Sequence, residues 1–272
     1  MALIPPFFLN AVVSIGMVNQ NQTHWIGTGF IVGRPMDDSA SEDKKYHTFL
    51  VTNKHVLLNK GQVLIRFNSL SNSSCLDYPV DLVVNHQPIW TGHPSDSVDI
   101  AAFLINPNTL TKSGAEFSFF SLEQHTMTNS AMETEGVSEG DGVFILGFPM
   151  GIMSSDRKYV VARSGIIARI RDMLDGHQEN YLIDSNIFPG NSGGPVVLRP
   201  EITAIEGTKS HNKAALIGIV KSYVPYQDVA ISQQTGRPRV IFEENSGLAE
   251  VECVDNIIST IELCYNKRGQ AS

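Results

Sequence analysis

The segment from Phe188 to Pro195 reads FPGNSGGP and is the strongest candidate for a chemical site in this chain of 272 residues. Ser192 supplies a hydroxyl that can act as a nucleophile, and glycines flank it on both sides. A glycine at position 190 permits a tight turn that aims the N–H groups of Gly190 and Ser192 into one small space, where they can bind a developing oxyanion. A plain glycine-rich hairpin turn explains the same residues, so the motif alone leaves both alternatives open.

The same residues fit the pattern Gly-x-Ser-x-Gly, which in α/β-hydrolases marks a turn between a strand and a helix. Here the serine is followed by Gly-Gly-Pro and by apolar residues from Val196 to Leu198, which favour a strand. The α/β-hydrolase fold also places its histidine after the serine in chain order, and only His211 follows Ser192. The sequence therefore argues against that fold.

A serine nucleophile requires a base, and the base requires a group that orients it. His55 lies at the end of the apolar segment LVTNKHV, and Asp99 lies at the start of another, VDIAAF. A carboxylate among strand residues needs a polar partner, and an imidazole would provide one. Taken singly, His55 is better explained as a surface histidine at a strand end, and Asp99 as a turn residue.

The order His55, Asp99, Ser192, with the neighbouring residues TNKHV, VDIAA and GNSGGP, resembles the chymotrypsin-like (trypsin-like) serine peptidases, in particular the HtrA-type peptidase domains of bacteria. The segments GTGFIV and GFPMG are similar to other signatures of that family. The resemblance implies that Ser192 attacks the peptide carbonyl, that His55 is the general base and then the acid, and that Asp99 orients the imidazole. It also implies that the amides of Gly190 and Ser192 form the oxyanion hole.

Two positions depart from the secreted members of this family. Val56 replaces the cysteine that they carry directly after the catalytic histidine, and Asn191 replaces the aspartate that pairs with a newly cut N-terminus. No Ile-Val-Gly-Gly activation site precedes the first predicted strand. We therefore expect no activation by N-terminal cleavage, and we expect the oxyanion loop to be ordered in another way, by substrate or by a partner protein.

The residues expected at the primary substrate pocket are uncharged. Asn186, six positions before the serine, would lie at the pocket base, where it offers no charge for a Lys or Arg side chain. Ile187 and Phe188 indicate a partly apolar pocket, and the strand that includes Val220, Lys221 and Ser222 would bind an extended polypeptide by β-addition. The sequence thus predicts cleavage after small or medium uncharged residues.

Short apolar and β-branched segments bounded by Gly, Asn, Asp and Pro dominate the chain and predict β-strands. Helical periodicity is found only at the end, where Ile257, Ile261 and Cys264 share one face. With the resemblance, this predicts an all-β protein of two six-stranded antiparallel β-barrels and a C-terminal helix. Exposed loops are expected at 34–47 and 226–239. The predicted divisions are 1–122 for the barrel with His and Asp, 123–139 for the linker, 140–254 for the barrel with Ser, and 255–272 for the helix and tail.

Composition limits the classes of partner. Lys and Arg total 20 and Asp and Glu total 28, so the net charge of −8 argues against a surface built for nucleic acid. The histidines and the three cysteines show no metal-ligand spacing, and we expect neither a metal nor a cofactor. No cationic segment precedes the apolar N-terminus and no apolar run reaches 18 residues. We therefore expect no secretory signal, no contact with a membrane, and a cytoplasmic location.

These observations together predict a serine endopeptidase that acts on polypeptides through an acyl-enzyme intermediate. The alternative is a catalytically silent or latent homologue that binds peptides in the same cleft as part of a larger complex. A regulatory partner protein is compatible with either alternative. We expect no PDZ domain, because the segment beyond Glu243 is too short for one.

Overall fold

The computed structural model describes residues 3–20, 22–36, 44–71, 74–154, 156–201, 203 and 207–269. The first half of the chain contains three short helices: α1 (Pro6–Ala11), α2 (Lys54–Leu57) and α3 (Pro107–Lys112). Its strands are β1 (Val12–Asn19), β2 (Gln22–Pro35), β3 (Tyr46–Thr52), β4 (Gln62–Ser69), β5 (Cys75–Asp81), β6 (Val83–Val84), β7 (Gln87–Pro88), β8 (Thr91–Gly92), β9 (Ala101–Ile105), β10 (Ala115–Glu116) and β11 (Phe120–Ser121).

Nine of these strands form one sheet with the hydrogen-bonded order β10-β4-β1-β2-β3-β9-β8, in which β5 also pairs with β4 and β11 with β2. Three of the nine, β8, β10 and β11, are only two residues long. The six longer strands agree with the predicted number. Among the described residues the pairing does not return to its first strand, so a closed first barrel stays a prediction.

The strands β1 to β3 are apolar along most of their length because both of their faces are buried. In β1, Val12 packs into a cluster shared with the second half of the chain, whereas Val13 packs into the interior of the first sheet. In β3, Phe49 packs into the shared cluster and Leu50 packs into the interior of the first sheet. Successive side chains of a strand point to opposite faces, so a strand buried on both faces reads as a continuous apolar segment.

The second half of the chain forms a closed barrel of six strands, in the order β12-β13-β14-β17-β16-β15, as predicted. Its interior is apolar and includes the fully buried Tyr181. The elements of this half are α4 (Asn129–Glu135), β12 (Gly142–Gly147), a 3₁₀ turn (Pro149–Gly151), β13 (Val161–Arg169), α5 (Arg171–Leu174), β14 (Asn180–Asp184), β15 (Pro195–Leu198), β16 (Ala215–Ile231), β17 (Pro238–Cys253) and α6 (Val254–Gly269).

The predicted loop at 226–239 is wrong over most of its length. β16 and β17 continue beyond the barrel as a two-stranded hairpin, which we call the hairpin arm (225–245), with Val229 opposite Ile241 and Ala230 opposite Val240. The β-branched residues in these pairs favour strands, although the polar residues around them suggested a loop. The loop predicted at 34–47 is shorter than expected, since β2 runs to Pro35 and β3 begins at Tyr46, and residues 37–43 lie outside the described part.

The helix predicted at the end of the chain is present as α6, and it packs against both halves. Ile257, Ile261 and Cys264 are buried in a cluster that also contains Phe30 from the first half and Leu216 from the second. The segment predicted as a linker contains α4, and the predicted boundaries stay predictions. Within the described ranges no helix is long and apolar enough to cross a membrane.

Candidate active site

His55 and Asp99 are brought together at the end of β3. The one-turn helix α2 carries His55, whose Nδ1 lies 2.5 Å from Asp99 Oδ2. The backbone N–H of His55 also donates to Asp99 Oδ1 at 3.1 Å, so both carboxylate oxygens face the histidine. Because Nδ1 is engaged by a carboxylate, the tautomer with its proton on Nδ1 is favoured, and Nε2 is then left without a proton. The imidazole is half exposed and the carboxylate is 20% exposed.

The turn before Ser192 requires glycine. Gly190 has a φ of +96°, and a Cβ there would collide with the carbonyl oxygen of Phe148. Among the described residues, the N–H groups of Gly190 and Ser192 donate no hydrogen bond to another protein group, whereas that of Asn191 donates to Phe188 O at 3.0 Å. Two backbone donors close to the serine are therefore available to an anion.

The turn is held by groups within this chain. Asn191 is fully buried, and its Oδ1 accepts a hydrogen bond from Phe188 N at 3.2 Å, which braces the turn from inside. Met150 N donates to Pro189 O at 2.6 Å from the neighbouring 3₁₀ turn. These contacts connect the turn to its neighbours within the chain, and the expectation that a substrate or a partner protein orders it stays a prediction.

Ser192 sits against the first half of the chain. Its carbonyl accepts a hydrogen bond from Thr28 N at 2.9 Å, in β2. A Cβ on Gly27 would lie 2.9 Å from Val56 and 3.4 Å from Ser192 O, so the backbone of Ser192 and the residue after His55 meet on either side of this glycine. In the described part of the chain no hydrogen bond joins the Ser192 hydroxyl to His55.

The residues predicted to bind substrate separate into two groups. Ile187 and Val220 are buried in the core of the second barrel, so their side chains are not available to a substrate. This corrects the expectation that Ile187 makes the pocket apolar: the alternation along its segment turns its side chain into the barrel. Asn186 and Ser222 are exposed, and Lys221 is engaged in an ion pair with a buried glutamate.

Two further residues, Thr28 and Glu252, lie beside the site and were not predicted from the sequence. The Thr28 hydroxyl donates to Gly190 O at 2.6 Å and accepts from Phe148 N at 3.1 Å, which ties β2 to the serine turn. Glu252 is fully buried and accepts a hydrogen bond from Asp99 N at 3.1 Å. Glu252 stands in the apolar segment AEVECV, and a charged residue there was the one available signal. Across the described residues no three His, Cys, Asp or Glu side chains cluster as metal ligands would.

Comparisons with known proteins give one family match and several similar structures. The profile of the trypsin-like peptidase domain matches residues 27–201, which include His55, Asp99 and Ser192. No curated protein sequence gives a significant match.

Solved structures similar to this chain include the MamO protease domain from Magnetospirillum magneticum in its apo form, at 15% identity over 93% of this chain and 97% of that one, with a TM-score of 0.48. They also include an inactive alanine mutant of Rv3671c from M. tuberculosis H37Rv, at 14% identity over 94% and 88% of the two chains, with a TM-score of 0.45. The HtrA-type protease AlgW with a decapeptide is similar at 16% identity over 94% and 64%, with a TM-score of 0.42. Because the matched profile spans more than half of the sequence, the chain belongs to the trypsin-like peptidase domain family.

Proposed function

We propose that this protein is a serine endopeptidase in which Ser192 is the nucleophile, His55 the general base and Asp99 the group that orients it. The observation that carries the proposal is the 2.5 Å contact between His55 Nδ1 and Asp99 Oδ2, beside a serine turn whose two N–H groups are available. Catalytic hydrogen bonds in free enzymes are often long and shorten when substrate binds, so an unbonded Ser192 hydroxyl is compatible with this function.

The proposed reaction has two stages. His55 Nε2 takes the proton of the Ser192 hydroxyl while Oγ bonds to the peptide carbonyl carbon, and the oxygen of that carbonyl becomes an oxyanion held by the amides of Gly190 and Ser192. When the C–N bond breaks, His55 gives the proton to the leaving amine. Water then gives a proton to His55 and attacks the acyl-enzyme, and the released serine oxygen recovers that proton.

The proposed substrate is an extended polypeptide. Beyond Val220, which pairs with the serine turn, the edge of β16 at Lys221 and Ser222 has no strand on the side facing β15 among the described residues. An extended peptide could add to that edge by main-chain hydrogen bonds. At the primary pocket, Oδ1 of the exposed Asn186 lies 3.6 Å from the position that a Cβ on Gly247 would occupy. The amide carries no charge, and we propose cleavage after small or medium uncharged residues.

Labelling with a fluorophosphonate tests the activity without a known substrate. We expect the wild-type protein to be labelled on Ser192, and we expect Ser192→Ala to be unlabelled and to lose peptide hydrolysis on the order of 10⁶-fold. Ser259→Ala, which removes an exposed serine of α6, is the control and should keep both activities. A folded wild-type protein that binds peptides but is neither labelled nor able to hydrolyse them would instead be the silent peptide-binding homologue.

A further inference from the structure

Two charged side chains of the second barrel reach across to the segment 97–99, which carries Asp99. Glu252 Oε1 accepts a hydrogen bond from Asp99 N at 3.1 Å, and Lys221 Nζ donates one to Ser97 O at 2.9 Å. Lys221 and Glu252 also form an ion pair at 3.2 Å. The segment bearing the candidate carboxylate is therefore held by an ion pair that belongs to the other half of the chain.

The burial of Glu252 makes these contacts obligatory. Its side chain is fully buried, and a buried carboxylate without partners is very costly. Burial raises the pKa of Glu252, and the hydrogen bond from Asp99 N and the charge of Lys221 oppose that rise. Asn256 Nδ2, from α6, donates a hydrogen bond to Glu252 Oε2 at 3.4 Å. Glu250, in β17, is a second acid that faces Lys221, with its Oε2 3.8 Å from Lys221 Nζ.

Asp99 is fixed through both ends of its backbone. Its carbonyl oxygen accepts from Asn53 Nδ2 at 2.7 Å and from Lys54 N at 3.4 Å, and both donors belong to the first half of the chain. Its N–H is held from the second half by Glu252. A backbone restrained on both sides limits the rotation of the carboxylate that faces His55.

We propose that Glu252, neutralised by Lys221, is a positioning residue that fixes Asp99 for its contact with His55. Loss of this contact would let the carboxylate move, and a displacement of about 1 Å at a catalytic group can cost about 10²-fold in rate. This inference rests on the proposed peptidase function, because it concerns the geometry of the same three residues.

The hydrogen bond from Asp99 N gives the proposal a second consequence. The amide oxygen in Glu252→Gln can still accept that hydrogen bond, whereas Glu252→Ala leaves Asp99 N without its partner. If the hydrogen bond fixes Asp99, Glu252→Gln should keep most of the rate that Glu252→Ala loses.

The experiment compares Glu252→Ala and Glu252→Gln in the full chain by the rate of fluorophosphonate labelling and by denaturant unfolding. We expect Glu252→Ala to react about 10²-fold more slowly than wild type. We expect Glu252→Gln, whose amide oxygen can still accept from Asp99 N, to keep most of the rate. If Glu252→Ala does not fold, Glu252→Asp, which keeps the charge but has a side chain one carbon shorter, takes its place and should react more slowly than Glu252→Gln.

Glu139→Gln is the matched control. Glu139 also accepts hydrogen bonds from two backbone amides, those of Ile170 at 3.0 Å and Arg171 at 3.3 Å, but it has no contact with the segment 97–99 in the described residues. Glu139→Gln should therefore lower stability and leave the labelling rate as in wild type.

The outcomes separate the two proposals. A folded wild-type protein that is not labelled overturns the peptidase function. A labelled wild type with Glu252→Ala slowed no more than Glu139→Gln, or with Glu252→Gln slowed as much as Glu252→Ala, overturns the positioning role and leaves the peptidase function standing.

Discussion

At the scale of single residues, Asn186 is the side chain on which the proposed specificity depends. It is exposed, while its neighbour Ile187 points into the barrel core and is only 2% exposed. The Ile187 carbonyl is held by Asn245 Nδ2 at 2.5 Å, and Ser185 N donates to Gly247 O at 2.9 Å. The backbone that presents Asn186 is thus fixed against β17, and a change of this side chain should alter its chemistry and not its position.

Asn186→Asp should therefore introduce a preference for Lys and Arg at the cleavage site. A carboxylate at the base of the pocket attracts a cationic side chain, and a hydrogen bond to a charged group contributes about 1.5–3 kcal/mol, which is on the order of 10- to 10²-fold in relative rate. Cleavage profiles on a peptide library measure the preference. Asn212→Asp adds the same charge at an exposed site beside the amino-terminal segment and should leave the profile unchanged. A wild-type profile already dominated by Lys or Arg would contradict the proposed neutral pocket.

At the scale of elements, β2 is the strand that locates the serine turn. Thr28 in β2 contacts the turn through its backbone N–H and its hydroxyl, and its carbonyl accepts from Thr52 Oγ1 at 2.7 Å in β3. Gly193 lies so close to Thr28 that a Cβ would collide with the Thr28 carbonyl oxygen. The order of the turn therefore depends on the docking of β2 against the second barrel.

Thr28→Val should weaken both the fold and the proposed oxyanion hole. Valine has nearly the same shape but leaves Gly190 O and Phe148 N without their partner, which costs about 1–3 kcal/mol for each buried group. We expect kcat/KM to fall on the order of 10²-fold.

Thr48→Val provides the comparison, because the buried Thr48 hydroxyl donates to Ile105 O at 2.7 Å far from the turn in sequence. Denaturant unfolding and peptide hydrolysis are measured for both variants. Equal losses of activity in the two would show that Thr28 affects only stability.

At the scale of the whole molecule, the two halves are joined by a shared apolar cluster and by a buried lysine. Lys158 lies between β12 and β13, is 3% exposed, and donates from Nζ to Val12 O in β1. Its backbone N–H donates to Asn68 Oδ1 at 2.7 Å in β4. Burial lowers the pKa of Lys158 to about 8, while the nearby Glu116 opposes this shift.

Lys158→Met should remove a dependence of stability on pH. The unfolded lysine has a pKa of 10.5 and the folded one a pKa of about 8, so the unfolded state binds more protons between these values. Stability from this group therefore rises as the pH increases from about 8 to about 10. The free energy of unfolding of wild type minus that of Lys158→Met should rise over this range by up to about 3 kcal/mol. Denaturant unfolding at several pH values measures the difference, and a difference that is flat across pH would contradict a lowered pKa of Lys158 in the folded state.

Local sequence was sufficient for the features that depend on local conformation. Gly190 could be identified because its turn requires a positive φ that side chains avoid, and the strands could be identified because their apolar residues are contiguous. The terminal helix followed from its periodicity of three and four residues. The pattern also pointed to His55 and Asp99, and their contact depends on a packing that the sequence does not specify.

The tertiary structure alone decided which distant residues meet. Glu252 and Asp99 are 153 positions apart, and Thr28 and Gly190 are 162 apart. Neither pair follows from a local pattern, because the closure of the second barrel and its docking against the first sheet set these distances. The tertiary structure also decides that the Ile187 side chain points into the barrel and that β16 and β17 extend into the hairpin arm. The sequence thus identified the residues that could perform the chemistry, and the packing of two β-structures decided which other residues hold them in place.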